Sequence, residues 1–170
     1  NSFPGKDISQ DDIQTKFPLC SKKSLVHKSI IKVDNIEFGG DHVPVIAGPN
    51  TVESLELILK CAHHAKKCKI DLLRGGAYKP LTFPYRSKKY TETRESGIEW
   101  MLNAKKKTGI PIITEIMEEK YLDLVCKTAD ILQIGSRNMQ NYPLITACAK
   151  TKKPIMLKRH YGASLRDWLG

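Results

Sequence analysis

From Val43 onward the chain alternates short, unbroken apolar runs with longer segments whose apolar residues recur at helical spacing. The runs Val43–Gly48, Asp71–Gly76, Pro111–Ile116, Ile131–Gly135 and Pro154–Lys158 predict strands. The segments Ser54–Lys67, Ser96–Thr108, Glu118–Ala129, Tyr142–Thr151 and Ser164–Gly170 predict helices; the first carries Leu55, Leu57, Ile58, Leu59, Cys61, Ala62 and Ala65 at helical spacing. Strands that alternate with helices pair in parallel through right-handed crossovers. Continuously apolar strands are those covered on both faces. Ahead of this rhythm, Ser29–Val33 and Ile36–Phe38 flank Asp34-Asn35 and predict a hairpin, closed by Gly39-Gly40-Asp41. Residues 1–28 are polar, carry Pro4, Gly5 and Pro18, and read as an irregular arm. The expected organisation is an arm over 1–28, a hairpin over 29–41 and an α/β domain over 42–170.

Periodicity fits an open doubly wound sheet and part of a barrel equally. The position of the polar residues separates them. Asn50, then Arg74 and Lys79, then Thr114 and Glu115, then Gln133, Ser136 and Arg137, then Lys158 and Arg159 each follow the C-terminal end of a strand. A (β/α)8 barrel builds its site from many strand ends, whereas a doubly wound sheet concentrates it at one switch point. With 170 residues against the ~250 of a complete barrel, the expectation is a partial (β/α)8 TIM barrel of about five β/α units.

Charge adds a ligand class. The net charge is +10, and the basic residues fall into two sets. Lys66, Lys67 and Lys69, then Lys105, Lys106 and Lys107, then Lys150, Lys152 and Lys153 close helices, where cations complement the helix dipole. Arg74, Lys79, Arg86, Lys88, Lys89, Arg137, Lys158 and Arg159 follow strands, where capping does not explain them; converging cations there suit phosphate and carboxylate ligands. The five cysteines, Cys20, Cys61, Cys68, Cys126 and Cys148, are odd in number, lack a Cys-x-x-Cys pair and mostly fall on apolar helix faces. They predict core thiols in a reducing compartment, cytoplasm or organelle matrix, rather than a disulfide framework. No run has the ~20 apolar residues of a membrane span. His63-His64 reads as a surface or packing pair rather than a metal site, and Trp100 and Trp168 as amphipathic core or interface residues.

Four segments carry the chemistry. Val45-Ile46-Ala47-Gly48-Pro49-Asn50 turns a strand into a helix. Leu72-Leu73-Arg74-Gly75-Gly76-Ala77-Tyr78-Lys79-Pro80 pairs two glycines, which let backbone approach a ligand, with two cations. Gln133-Ile134-Gly135-Ser136-Arg137-Asn138-Met139-Gln140-Asn141 and Leu157-Lys158-Arg159 end the fourth and fifth strands. In this order and spacing they resemble the class I 3-deoxy-D-arabino-heptulosonate 7-phosphate (DAHP) synthases of the short bacterial type and the related 3-deoxy-D-manno-octulosonate 8-phosphate synthases, from about Ile31 to the last residue.

The resemblance implies a transferase of the shikimate pathway and aromatic amino acid biosynthesis, condensing phosphoenolpyruvate (PEP) with erythrose 4-phosphate. It implies that Arg74, Lys79, Arg137 and Lys158 hold PEP, with Gln133 and Ser136 beside them. The departures matter as much. Asn50 stands at the family's cysteine metal-ligand position, so no metal and no other cofactor is expected for this chain, although the family often uses a divalent metal. The family's aldehyde-phosphate motif, Lys-Pro-Arg-Thr-Ser, reads Lys79-Pro80-Leu81-Thr82-Phe83, so Pro80, Leu81, Thr82 and Phe83 form a degenerate aldehyde loop. The family's Lys-Arg-Gly reads Lys158-Arg159-His160. The last three strands, with further metal ligands and a further PEP-binding arginine, are not in this sequence.

Two functions follow as expectations. One is a DAHP synthase-like enzyme, oligomeric as the family commonly is, that binds PEP or another small phosphorylated anion and is inactive as this chain alone. The alternative is a pseudoenzyme: a degenerate, basic synthase scaffold serving as a structural subunit of a larger assembly that contains RNA. In either case a protein partner or a second copy is expected over the open barrel face, and no membrane. The segment Tyr85-Arg86-Ser87-Lys88-Lys89-Tyr90 mixes aromatics and cations as RNA-binding segments do, and also matches the family's active-site loop.

Overall fold

A computed structural model describes residues 9–21, 29–79 and 92–170. Within the segment expected to be irregular it has a helix, α1 (Gln10–Lys16). The Ser9 hydroxyl accepts from the Asp12 amide as an N-cap, and Asp12 pairs with Lys16 one turn on at 3.1 Å. These local contacts are the physical reason for that correction. The hairpin forms as expected: β1 (Ile31–Val33) pairs antiparallel with β2 (Ile36–Phe38) around Asp34, whose φ is 50°.

Five parallel strands follow in the order β3 (Ile46–Ala47), β4 (Leu72–Arg74), β5 (Ile112–Glu115), β6 (Ile131–Ile134) and β7 (Ile155–Leu157). They alternate with α2 (Leu55–Lys67), α3 (Arg94–Thr108), α4 (Leu122–Cys126), α5 (Tyr142–Lys150) and α6 (Leu165–Leu169). Side-chain caps from Ser54, Asn141 and Ser164 start three of the helices, and Gly109 at φ 66° closes α3. Two helices differ from the periodic reading. The second starts two residues earlier, at Arg94. The third is shorter, because a 3-10 turn (Glu119–Tyr121) precedes it and Asp130 is drawn back to β5, its carboxylate accepting from the Ile112 amide at 2.8 Å.

The sheet's period of two sorts its side chains into layers. Leu73, Ile112, Leu132 and Ile134 face the helices and form the larger core with Ile58, Ile98, Met101 and Val125. On the other face, Ile46, Leu72, Ile113, Ile131 and Met156 meet Val33, Ile36 and Phe38 of the hairpin. The hairpin thus closes the N-terminal end of the concave face, leaving a small apolar cavity of about 170 Å³ beside β7. Two residues further along the strands the same face becomes polar, with Arg74, Glu115 and Gln133.

The helix-closing lysines are partly explained by pairing. Lys105 Nζ donates to both Asp130 carboxylate oxygens at 2.6 and 2.8 Å, and Lys153 Nζ donates to the Ala129 carbonyl at 2.7 Å. The cysteines divide more than expected: Cys148 is buried and Cys61 and Cys126 are half-buried, whereas Cys68 is exposed at the end of α2 with Sγ 3.4 Å from His64 Nε2. No helix among the described residues is long and apolar enough to cross a membrane.

Candidate anion-binding site

The polar layer exists because each strand carries its last inward side chain just before the chain turns outward. Arg74 ends β4, Glu115 ends β5, and Gln133 lies opposite Glu115 in the β5–β6 register. Two glycines permit the approach of neighbouring strands. Gly48 has φ 146°, and a Cβ there would lie 2.0 Å from the Arg74 carbonyl oxygen. A Cβ on Gly135 would lie 2.1 Å from Glu115 Oε1. Beyond β4, Gly75-Gly76 returns the chain so that Lys79 comes back over the strand ends, packed so closely that a Cβ on Gly76 would meet its side chain.

These residues form one network. Arg74 Nε donates to Gln133 Oε1 at 3.2 Å, and both Arg74 Nη atoms lie 3.3 Å from Asn50 Oδ1. Lys79 Nζ donates to the same Asn50 oxygen at 3.0 Å. Glu115 is the counter-charge: its Oε2 lies 3.5 Å from Lys79 Nζ and accepts from Gln133 Nε2 at 3.4 Å. Lys79 and Glu115 are both buried, with side chains 11% and 7% exposed. Burial holds the Lys79 ammonium below its ordinary value; Glu115 opposes this, while the Arg74 and Lys158 charges add to it. Arg74, Lys79 and Lys158 therefore share one field with the Glu115 carboxylate, an arrangement suited to a bound anion.

The structure brings together Asn50, Arg74, Lys79 and Gln133, with Lys158 close enough for its charge to act on Lys79. Ser136 and Arg137 stand one turn beyond β6 and line a cavity of about 370 Å³, with His160 and Gly162 of the β7–α6 turn and Asp167 of α6. Thr114 is not part of the polar layer, since strand alternation turns it away from Glu115; it is fully buried. Arg159 reaches back to the Ala163 carbonyl at 3.1 Å and steadies the β7–α6 turn. Pro80, Leu81, Thr82 and Phe83, and the cations Arg86, Lys88 and Lys89, lie outside the described residues. Sequence reasoning placed Glu115 among the strand-end polar residues without making it a counter-charge, and gave His160 only a changed backbone position. The signal for Glu115 was its place at a strand end two residues after an inward apolar position.

The donor set around Asn50 does not suit a divalent metal. Its amide oxygen already accepts from cationic N–H groups of Arg74 and Lys79, whose charges repel a cation. Among the described residues, no group of three or more His, Cys, Asp and Glu side chains is placed to hold a metal ion.

Comparison with known proteins agrees with this architecture. Phospho-2-dehydro-3-deoxyheptonate aldolase of Thermotoga maritima is 34% identical over 153 residues, covering 90% of this chain and 44% of that protein. The 2-dehydro-3-deoxyphosphooctonate aldolase of Fusobacterium nucleatum is 31% identical over 147 residues, covering 81% of this chain and 51% of that protein. The crystal structure of the Thermotoga maritima DAHP synthase superposes with a TM-score of 0.78 at 32% identity, over 86% of this chain and 41% of that one. The chain thus spans about half the length of the curated relatives it matches, and its five strands correspond to part of their barrel. The DAHP synthetase I family matches residues 18–170, which with the strand-end network and the shared barrel architecture makes this chain a member of that family.

Proposed function

We propose that the chain is DAHP synthase-like and forms a PEP-binding portion of a synthase site. The observation that carries this reading is the convergence of Arg74 and Lys79 on one oxygen at the strand ends, within the field of Lys158 and with one buried carboxylate as counter-charge. PEP presents a carboxylate and a phosphate on the same carbon, so it calls for more cations than one anionic group would. Arg74 offers a planar fork for a carboxylate, and Lys79 a desolvated point charge. Condensation adds a demand, a grip on a phosphorylated aldehyde. Leu81 and Phe83 weaken that grip, and Asn50 is engaged by cations. We therefore expect PEP binding without DAHP synthase turnover from this chain alone. The same departures support a second reading, a retired synthase scaffold within a larger assembly.

Titration calorimetry with PEP, beside a phosphate-release assay with PEP and erythrose 4-phosphate with and without a divalent metal, tests both. Binding that Lys79→Ala abolishes, without release, is the expected result. Release at enzyme-like rates from the isolated chain overturns the expectation of inactivity. Absence of PEP binding leaves the scaffold reading.

A further inference from the structure

We infer that His160 is a phosphate-contacting residue of this site, an imidazole donor standing where the family's Lys-Arg-Gly pattern has glycine. The inference rests on the PEP-binding reading and names a contact for one of the ligand's two anionic groups.

The ring is held by its own turn. The Gly162 amide donates to His160 Nδ1 at 3.1 Å, and the ring leans on Tyr161 with centroids 4.2 Å apart. The backbone is fixed as well, since the His160 amide points at Met139 Sδ at 3.3 Å and Arg159 bonds the Ala163 carbonyl. With Nδ1 accepting, the neutral ring carries its proton on Nε2. Among the described residues Nε2–H has no partner, and His160 lines the cavity of about 370 Å³ together with Ser136 and Arg137.

The lining of that cavity follows the network along the chain: Ser136 and Arg137 come three and four residues after Gln133, and His160 two residues after Lys158. A ligand whose carboxylate meets Arg74 and Lys79 directs its phosphate towards Lys158 and this cavity. There Arg137 supplies charge, the Ser136 hydroxyl and His160 Nε2 supply neutral donors, and Asp167 is the opposing charge. The Asp167 carboxylate is occupied, accepting from the Ser164 amide and hydroxyl at 3.1 and 2.7 Å, and those bonds keep it ionised below the usual carboxylate range. A hydrogen bond to the phosphate from a ring already oriented needs no reorganisation on binding, which is what a glycine at this position cannot provide.

The test compares wild type, His160→Gly and His160→Gln on the full chain, with circular dichroism checking the fold. Calorimetry measures PEP, and ligand-observed NMR measures inorganic phosphate and pyruvate separately. His160→Gly is expected to weaken PEP and inorganic phosphate about tenfold and to leave pyruvate unchanged, as loss of one hydrogen bond to a charged group implies. His160→Gln, which keeps a neutral donor, is expected to restore most of the PEP affinity. Wild-type affinity for PEP and phosphate in His160→Gly, with Lys79→Ala abolishing PEP binding, overturns the His160 contact and leaves the PEP reading standing. If wild type binds no PEP, the functional reading fails; inorganic phosphate, with and without His160, then still decides whether the imidazole holds that group.

Discussion

Lys79 is held in its charged form against its surroundings. Its ammonium is buried, and its neighbours include two further cations, so its protonated form is disfavoured relative to an ordinary lysine. The sign follows. Because the folded value lies below the ordinary 10.5, folding opposes the charge while Lys79 is protonated, and stability rises as pH passes from the lowered value up to 10.5. On the proposed PEP-binding reading, anion affinity should move the other way and fall over the same alkaline window, as Lys79 loses its charge. Calorimetry of PEP against pH should show this fall starting below 10.5 in wild type and absent in Lys79→Arg, whose guanidinium stays charged. Asp71 shows the opposite sign. Its carboxylate accepts from the Val45 amide at 2.7 Å and from His42 Nε2 at 3.0 Å, which keeps it below 3.8 and ties the start of β3 to β4. Its contribution is present above 3.8 and is lost as pH falls through the folded value. Asp71→Asn should cost about 1.5 kcal/mol in urea melts at pH 7, with the gap from wild type closing in acid.

At the scale of elements, site geometry depends on how near one strand comes to the next. Gly48 occupies a positive φ and lies against the Arg74 carbonyl, a backbone atom that cannot swing aside. Gly48→Ala should therefore push β3 from β4, cost roughly 1–3 kcal/mol of stability and weaken PEP binding through Arg74 and Asn50, read by urea melts beside calorimetry. Gly135 is a softer case. It meets the end of a side chain, Glu115 Oε1, so Gly135→Ala should displace the carboxylate from Lys79. The expected outcome is a smaller stability loss with a larger change in the pH dependence of PEP affinity. A shift in stability alone, with that pH profile unchanged, would show that the Glu115–Lys79 pairing is not what Gly135 protects. The helices contribute through their starts: Ser54, Asn141 and Ser164 cap three of them, so the connections between strand and helix that carry the site are anchored where each helix begins.

At the scale of the whole molecule, the hairpin acts as a floor. Val33 and Ile36 are buried against Leu72, Ile113 and Ile131, which lie one inward position below the polar layer. Ile36→Ala should cost about 2–4 kcal/mol by opening a cavity under that layer, measured by thermal or urea unfolding. A much smaller loss would mean that the hairpin only rests on the sheet. The barrel resemblance was legible because polar residues recur after every strand, and because Arg74 through Pro80 and Gln133 through Asn141 carry distinctive patterns. The helix at Gln10–Lys16 was not, because prolines and polarity at a chain end outweigh one Ser-capped turn in a pattern reading. The exposure of Cys68 was not legible for a related reason: it falls just past the end of α2, where helical spacing no longer predicts facing.

From Ser29 onward the sequence by itself determined the order of strands and helices, the parallel sheet, the hairpin turn and the cations at the strand ends, since all of these follow from local period, turn chemistry and position after a strand. Only the tertiary structure decided which of those groups meet. Glu115 and Thr114 are adjacent in sequence, and alternation sends one into the charged layer and the other away from it. Asn50, Arg74, Lys79 and Gln133 are separated by many residues, and their hydrogen bonds exist because parallel register aligns the strand ends. His160 reads in the sequence as a lost glycine; the fold makes it line one cavity with Arg137, because the β6–α5 and β7–α6 turns both border that cavity.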